Sequence, residues 1–197
     1  EFLLELFSEE IPANLQSSAR INLLISFKKL FEKENINYKN DAKVFSTPNR
    51  LVLCFKKIER EIHQKSEEIR GPNIKAPDNA IEGFLKSNLI QKKDIYKKNT
   101  DKGDFFFYKK PSRKIKSEDV LKANIPNILE NLSWKKSMKW GEHNLYWGRP
   151  LKLILAIFDS KPLKFEFHHL SSSNSTYIDK DFEEKTKIFK NINSYFS

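Results

Sequence analysis

The sequence predicts an α+β fold, a mixed, largely antiparallel sheet with two or three packed helices. Residues 2–7 are a short apolar run, typical of a buried strand, and residues 13–35 repeat apolar side chains every three or four positions, as an amphipathic helix does. Residues 95–110 and 151–169 each contain two extended runs joined by a turn, which is typical of β-hairpins. Helices and antiparallel hairpins in one chain favour the α+β class.

The first 60 or so residues predict the order strand, helix, strand, strand. Ser8 is a candidate helix cap, and Pro12 is placed to open the helix. Residues 44–58 contain two extended pieces around a turn signal at residues 46–50, and apolar residues on both faces of the second piece indicate a central strand. The helix carries six apolar residues on one face: Leu15, Ala19, Leu23, Phe27, Leu30 and Phe31.

The middle of the chain predicts shorter elements. Residues 59–70 are highly charged and form either an edge strand or an exposed connection. Asp78 is a candidate cap for a short helix, and residues 117–132 predict a longer helix that Pro126 must kink or restart. The short helix presents three apolar residues: Ile81, Phe84 and Leu85.

The last part of the chain changes character after its most apolar strand, residues 151–158. A turn joins that strand to a second one at residues 163–169. From residue 171 a serine-rich stretch leads into a charged, helix-like tail, which looks like the opening of a further region. The core candidates of this tail are Phe182, Ile188 and Phe189.

We expect three regions along the chain. They are an α+β unit at residues 1–70, a second α+β unit with two hairpins at residues 71–170, and the start of a following region at residues 171–197. The boundary near Gly71 follows the charged stretch and precedes a loop with two prolines.

The composition of the 197 residues bounds the partners and the compartment. A net charge of +10 suits an anionic partner, although an AT-rich genome would produce the same excess of lysine. The single cysteine, Cys54, excludes an internal disulfide framework and a Cys-rich metal site, and it indicates a reducing compartment such as the cytoplasm. No apolar stretch approaches the ~20 residues of a membrane span, so we expect no membrane association.

The sequence contains no persuasive catalytic constellation and no metal site. It has neither a GxxxxGK[ST] phosphate loop nor a GxGxxG motif. The adjacent His168 and His169 would point to opposite faces of a strand, which makes joint metal ligation unfavourable. Glu9 and Glu10 form either an acid/base pair or, as we favour, a complement to the dipole of the helix that follows. We therefore expect no catalytic residues, no metal and no cofactor in this chain.

The tryptophan segment, residues 134–150, is the most distinctive stretch of the chain. It contains all three tryptophans, Trp134, Trp140 and Trp147, interleaved with cationic side chains. Aromatic surfaces beside cations suit an RNA partner, whereas large aromatic residues are also the usual anchors of a core. Both interpretations remain open on residue chemistry alone.

Three arginines occupy loop or element-end positions, where recognition residues concentrate. Arg50 follows a Pro-Asn turn, Arg70 precedes Gly-Pro and Arg149 precedes Pro150. Each can bind phosphate in a bidentate manner, or it can pair locally with a carboxylate or a backbone carbonyl. The residues alone do not separate these alternatives.

Six motifs in the same order resemble the β subunit of bacterial two-subunit glycyl-tRNA synthetase. The run LLELFSEEIPA from residue 3 resembles that family's LLxEIGTEELPP, and FSTPNRLVL from residue 45 resembles ATPRRLAV. RGP from residue 70 with AIEGFLKSN from residue 80 is similar to KRGP and AAxGFARSxG. TDKGDFFFY, KKSMKWG and RPLKLILAIFD are similar to the KGE hairpin, KxMRWG and FxRPLRWLVALxD.

The resemblance implies a function for the N-terminal part of such a subunit. In that family the α subunit holds the active site that activates glycine with ATP and Mg²⁺, and the β subunit supports tRNA recognition and assembly of a heterotetramer. The implied partners are therefore the α subunit, tRNA(Gly) and the remainder of the β chain. The sequence departs from the family at residues 176–180, where T-x-GHRF is usual, and at Asn49, where arginine is frequent.

The resemblance also sharpens the expected roles of the site residues. When the tryptophan segment is aligned with the family's motifs, a place in the core is favoured for Trp140 and Trp147. The candidate tRNA-binding residues are Arg50, Arg70, Lys136, Lys139 and Arg149. An alternative is a non-catalytic RNA-binding or structural docking module diverged from that subunit.

Overall fold

The computed structural model describes residues 1–39, 41–101, 103–140, 142, 144–179 and 185–197. It divides into two compact units: unit 1 combines Glu1–Ile62 with Lys116–Ser197, and unit 2 is His63–Ile115. This division differs from the predicted boundaries at residues 70 and 170. The physical reason is that the strand at residues 151–158 pairs beside the first strand of the chain, which returns the later part of the chain to unit 1.

The predicted α+β class is confirmed, with antiparallel ladders and one parallel bridge between Leu155 and Ser173. The described helices are α1 (Ala13–Glu34), α2 (Asp78–Asn88), α3 (Ser117–Glu130) and α4 (Ile192–Phe196). The described strands are β1 (Phe2–Ser8), β2 (Ala42–Thr47), β3 (Arg50–Phe55), β4 (Glu61–Gln64), β5 (Glu67–Asn73), β6 (Ile95–Thr100), β7 (Gly103–Lys110), β8 (Arg113–Lys116), β9 (Met138–Lys139), β10 (Tyr146–Trp147), β11 (Leu151–Phe158), β12 (Lys161–Pro162), β13 (Glu166–Phe167), β14 (Leu170–Ser171), β15 (Ser175–Asp179) and β16 (Lys185–Ile188).

Unit 1 is built on a five-stranded sheet in the order β12-β11-β1-β3-β2. Strand β1 lies in the middle, with Leu4 opposite Ala156 on one side and Leu53 on the other. All seven residues of β1 are buried, because both faces of the sheet are covered. The predictions of a buried first strand and of a central strand at residues 51–55 are confirmed.

Helix α1 covers one face of this sheet. The six apolar residues predicted to share one side of the helix are its buried residues. Phe27 packs 5.5 Å from Phe2, and Phe31 packs 4.9 Å from Phe55, measured between ring centroids. This apolar stripe runs along the 22-residue helix and anchors it to the sheet.

Described residues near the end of the sequence cover the opposite face. Phe189 and Ile192 join a buried cluster that includes Leu3, Cys54 and Ile157 of the sheet. Among the described residues of the tail, the prediction of a helix-like segment is wrong, because β15 and β16 form a hairpin and the short α4 follows it. Phe189 and Ile192 are anchored by their contacts with the sheet.

The predicted core residues of the tail have different outcomes. Phe189 is buried as predicted, whereas Ile188 is 69% exposed, because it lies in the hairpin rather than in a packed helix. Phe182 lies outside the described residues.

The predicted strand at residues 163–169 is replaced by shorter pieces. On the side of β11 away from β1, the returning strand is the two-residue β12, which ends before residue 163. β13 and β14 then form a separate small hairpin whose turn includes His168 at a φ of 52°. The Ser172 hydroxyl accepts from the Phe165 N–H at 2.7 Å and donates to the Leu163 carbonyl at 2.8 Å. These bonds satisfy backbone groups that a longer strand would have paired.

Both predicted side-chain caps are wrong. Helix α1 begins directly after Pro12, as predicted, but the Ser8 hydroxyl donates to the Glu9 carbonyl at 3.0 Å instead of capping the helix. Asp78 lies within the first turn of α2, after Pro77, and its charge complements the helix dipole there. Helix α3 continues through Pro126 and does not restart.

Unit 2 is a three-stranded antiparallel sheet in the order β5-β7-β6, with α2 beside it. The predicted hairpin at residues 95–110 is confirmed, and its turn ends at Gly103, which adopts a φ of 107°. Such a positive φ is available to glycine at little steric cost. The charged residues 59–70 contribute β4 and the start of β5, and most of their described side chains are exposed.

In the part of the chain that the structure describes, no helix is long and apolar enough to cross a membrane.

Candidate RNA-contacting site

The tryptophan segment forms a small antiparallel hairpin in unit 1. Met138 pairs with Trp147, and Lys139 pairs with Tyr146. The indole N–H of Trp140 donates to the Trp147 carbonyl oxygen at 2.9 Å. This bond fixes Trp140 against the backbone of β10.

The three tryptophans differ in burial. Trp147 is 1% exposed and confirms its predicted place in the core. Trp134 and Trp140 are only partly buried. The centroid of the Trp134 ring lies 5.1 Å from that of the Trp147 ring. Gly148 permits this packing, because a Cβ built there would lie 2.5 Å from Cε3 of Trp134.

Two neighbouring cavities lie beside the start of α1. The larger, of about 540 Å³, is lined by the turn before the helix, and the smaller, of about 280 Å³, by the tryptophan segment. Pro12 and Arg149 line both. The Glu9 N–H donates to the Pro150 carbonyl at 3.0 Å, which ties the two segments together.

Arg149 is the charged residue that the two cavities share. Its Nε atom is buried, and no hydrogen-bond acceptor for it lies among the described residues. Its Cζ atom is 5.9 Å from the centroid of the Trp140 ring. A buried donor without a partner costs about 1–3 kcal/mol, so the site would gain from an anionic acceptor.

Further positive potential surrounds the smaller cavity. Lys136 lines it, and Lys139 follows on the exposed surface of β9. Helix α1 has no acidic residue in its first turn and no side-chain cap, so its positive dipole end is not neutralised within that turn.

Carboxylates are confined to the larger cavity. Glu9 and Glu10 line that cavity, and Glu9 is 3.3 Å from the Lys152 ammonium. Both residues precede the helix rather than occupy its first turn. The smaller cavity, with Lys136, Trp140 and Arg149, is therefore the better place for a phosphate group.

Comparison with known proteins decides the family. The profile of the family described as glycyl-tRNA synthetase beta subunit matches residues 2–197. The chain belongs to this family. It is similar to the glycine–tRNA ligase beta subunit of Rickettsia prowazekii (strain Madrid E), with 41% identity over 90% of this chain and 26% of that protein.

Two further relatives with the same description show similar coverage. The protein of Rickettsia bellii (strain OSU 85-389) is 38% identical over 97% of this chain and 30% of its own length. That of Rickettsia canadensis (strain McKiel) is 36% identical over 99% of this chain and 29% of its own length. The chain thus spans between a quarter and a third of these β subunits.

The five predicted tRNA-binding residues belong to different elements and to both units. Lys136, Lys139 and Arg149 lie together on the tryptophan segment. Arg50 lies elsewhere in unit 1, and Arg70 belongs to unit 2. The contribution of the start of α1 was not predicted, although the motif SEEIPA marks the turn at which it begins.

Arg50 has internal partners. Its Nε atom lies 3.2 Å from Oε2 of the buried Glu5, its guanidinium donates to the Tyr177 carbonyl, and its Cζ is 4.7 Å from the centre of the Phe7 ring. The structure therefore gives Arg50 the local pairing that the sequence left open as its alternative.

Arg70 is exposed and lies over an aromatic ring. Its Cζ atom is 3.6 Å from the centroid of Phe105, on the strand paired with its own. The planar guanidinium stacks favourably on such a ring while its donors remain accessible.

The described residues contain no group of three or more His, Cys, Asp or Glu that could hold a metal ion. His168 occupies a turn rather than a strand and contacts Glu130. Burial raises the pKa of the Cys54 thiol, which disfavours the reactive thiolate.

Proposed function

We propose that this chain is a tRNA-contacting part of the β subunit of a two-subunit glycine–tRNA ligase. Its membership of the β-subunit family supports the ligase, and the word beta in the names of its relatives supports an α partner. The α subunit would bind glycine, ATP and Mg²⁺, while this chain would supply no catalytic residue. We expect the assembly, with the remainder of the β chain and tRNA(Gly), in the cytoplasm.

The observation that carries the tRNA contact is Arg149, whose buried Nε faces no acceptor among the described residues. A phosphate oxygen would satisfy this donor and would lie between Lys136 and the start of α1. The partly buried Trp140, held by its bond to the Trp147 carbonyl, offers an aromatic wall beside it. Lys139, exposed on β9, would contact a neighbouring phosphate.

The test measures binding of a tRNA(Gly) transcript to this chain as a function of salt. Contacts to phosphates release counterions, so affinity should fall steeply with salt concentration. The double substitution Lys136→Ala with Lys139→Ala should weaken binding at every salt concentration. It should also lower the slope of log affinity against log salt by roughly one for each phosphate that the protein no longer neutralises. The matched control is the double substitution Lys161→Ala with Lys164→Ala, which removes the same charge from two exposed lysines that follow β11.

A second measurement connects binding to the reaction. The same double substitution in a full-length β chain, assembled with its α subunit, should reduce glycylation of tRNA while co-elution of the two subunits is retained. Unchanged tRNA affinity and salt slope in the double variant would remove the tryptophan segment from tRNA contact. Failure of the β chain to co-elute with any α subunit would instead favour a docking or RNA-binding module outside the ligase.

A further inference from the structure

The sheet of unit 2 has two different faces. Helix α2 packs against one of them at Gly71, where an added Cβ would lie only 2.8 Å from the Phe84 ring. The register of β5 shifts between Arg70 and Asn73, but the Arg70 side chain is exposed and lies over Phe105, so the helix does not cover it. Cross-strand pairs share a face, and Arg70 pairs with Phe107, which also pairs with Tyr96.

The face away from α2, called here the cation–aromatic face, combines three aromatic and three cationic side chains with one carboxylate. Its solvent-facing side chains are accessible: Tyr96 is 38% exposed and the Lys98 side chain 48%. The members are Glu68, Arg70, Tyr96, Lys98, Phe105, Phe107 and Lys109.

Cations on this face lie directly over aromatic rings. Arg70 lies 3.6 Å above Phe105, and the Lys98 ammonium lies 5.2 Å from the centre of the Phe107 ring. Tyr96 stacks on the same Phe107 ring at 6.3 Å and 28°. Phe107 is itself buried, and it supports the more accessible Tyr96 ring and Lys98 ammonium that contact it.

The charge of unit 2 complements a polyanion. Its 53 residues contain 13 Lys and Arg against 7 Asp and Glu, a net charge of +6 out of the +10 of the whole chain. Unit 2 thus carries more than half of the excess positive charge in about a quarter of the sequence. An anionic ligand is steered to such a surface at low salt.

We propose that the cation–aromatic face binds unpaired nucleotides of an RNA. Bases would stack on the Tyr96 ring and on the outer plane of the Arg70 guanidinium, and phosphates would pair with Lys98 and Lys109. Unpaired bases expose the flat surfaces that stack on aromatic rings and guanidinium planes, whereas a duplex hides them. This site lies on unit 2 and does not depend on the tRNA contact proposed for the tryptophan segment.

Glu68 tunes the affinity of this face. Its carboxylate accepts from both the Tyr96 hydroxyl and the Lys98 ammonium. These bonds, first that from Lys98 and then that from Tyr96, hold the pKa of Glu68 below its ordinary value and keep it ionised. The carboxylate orients both partners, and it competes with a phosphate for Lys98.

The experiment measures fluorescence anisotropy of a labelled single-stranded RNA of about eight nucleotides, within the range of known single-strand sites, with the 197-residue chain. The same RNA annealed to its complement is the comparison. We expect the single strand to bind more tightly than the duplex. Tyr96→Ala should weaken single-strand binding by roughly 5- to 150-fold, the range expected when one base no longer stacks, while Tyr96→Phe should retain it.

Two adjacent lysines provide a control of equal charge. Lys98 lies on the cation–aromatic face, and Lys97, also exposed, pairs with Phe106 on the opposite face. Lys98→Ala should weaken binding several-fold more than Lys97→Ala, although the net charge changes equally. Glu68→Gln should tighten binding, because it releases Lys98 and removes a repulsive charge. This gain cannot arise from misfolding.

The tryptophans separate this site from the one on unit 1. All three lie in unit 1, so their fluorescence reports RNA bound at the tryptophan segment, whereas the difference between Lys98→Ala and Lys97→Ala reports binding to unit 2. The double substitution of Lys136 and Lys139 should leave binding of the short single strand intact, and loss there alone would count only against the earlier proposal. Equal binding of single strand and duplex, or equal effects of Lys97→Ala and Lys98→Ala, would overturn base stacking. Tighter binding of polyglutamate than of RNA would assign the face to an acidic protein.

Discussion

Two carboxylates with the same kinds of partner occupy different settings in the two units. Glu5 of unit 1 accepts from the Tyr195 hydroxyl and pairs with Arg50. Glu68 of unit 2 accepts from the Tyr96 hydroxyl and pairs with Lys98. Glu5 is 0% exposed in the middle of a sheet covered on both faces, whereas Glu68 lies on a face that water reaches.

The contrast follows from what covers each sheet. In unit 1, described residues from 172–179 and 185–197 cover the face that carries Glu5, so the charge is removed from water and requires all of its partners. In unit 2 the helix lies on the other face, and water still solvates Glu68. The same set of groups therefore stabilises a buried sheet in unit 1, whereas in unit 2 it forms part of an exposed surface.

The largest expected effect is on Glu5. Glu5→Gln leaves the partly buried Arg50 without its counter-charge, and we expect the free energy of unfolding to fall by about 3–5 kcal/mol. Denaturant titration at neutral pH measures this loss. Glu68→Gln is the control, since exposed ion pairs contribute little, and its unfolding curve should coincide with that of the unsubstituted chain. Similar losses in the two variants would contradict the assignment of Glu5 to a structural role and of Glu68 to an exposed surface.

The pH dependence of the stability that Tyr195 contributes tests the same comparison. Burial, followed by the charge of Glu5 and its hydrogen bond, raises the pKa of Tyr195 far above its ordinary value. In the unfolded chain the hydroxyl titrates near 10, so the stability due to neutral Tyr195 is complete below that pH. It is lost as the pH rises toward the raised pKa of the folded state.

Tyr195→Phe should therefore act in two ways. At neutral pH it removes a hydrogen bond to a charged group, and we expect a loss of about 1.5–3 kcal/mol. Above pH 10 the stability of the variant should fall less steeply than that of the unsubstituted chain. Unfolding curves between pH 8 and about 11, the range that brackets the ordinary tyrosine pKa, measure both effects. Parallel slopes would show that Tyr195 ionises without opening the structure.

Local periodicity predicted most of unit 1 and the hairpin of unit 2. The spacing of apolar residues predicted the buried side of α1 and the buried strands β1 and β11. In each of these elements, the residues that contact the core follow the period of the helix or strand. The covering of the sheet by Phe189 and Ile192 was not predicted, since these residues acquire their role only by contact with a sheet distant in sequence. Burial of Trp147 was predicted through the family resemblance.

The site residues show the same limit. Arg50 and Arg70 both precede or follow a turn in the sequence, and nothing local distinguishes them. Arg50 became internal because Glu5 lies beside it on the neighbouring strand, and Arg70 remained exposed because α2 packs on the other side of its strand. Tertiary packing decides which face of a sheet is covered. Residue type and spacing therefore could not predict that Arg50 is internal and Arg70 exposed.

Glycines test how tightly each unit is packed. Gly148→Ala would place a Cβ 2.5 Å from the Trp134 ring, against the buried Trp147. Overpacking of this kind costs about 1–3 kcal/mol, and we expect global unfolding of unit 1 at a lower denaturant concentration. Tryptophan fluorescence reports this change selectively, since all three tryptophans belong to unit 1.

The smallest expected effect is a gain in unit 2. Gly83 lies within α2 with nothing inside 4 Å of an added Cβ, so Gly83→Ala should stabilise the helix by about 0.5–1 kcal/mol through the lower backbone entropy of the unfolded chain. Hydrogen exchange of the α2 amides measures it. If the two units open separately, protection should rise in unit 2 while the amides of β1 exchange as before. An equal rise in β1 would mean that the chain unfolds as one cooperative body.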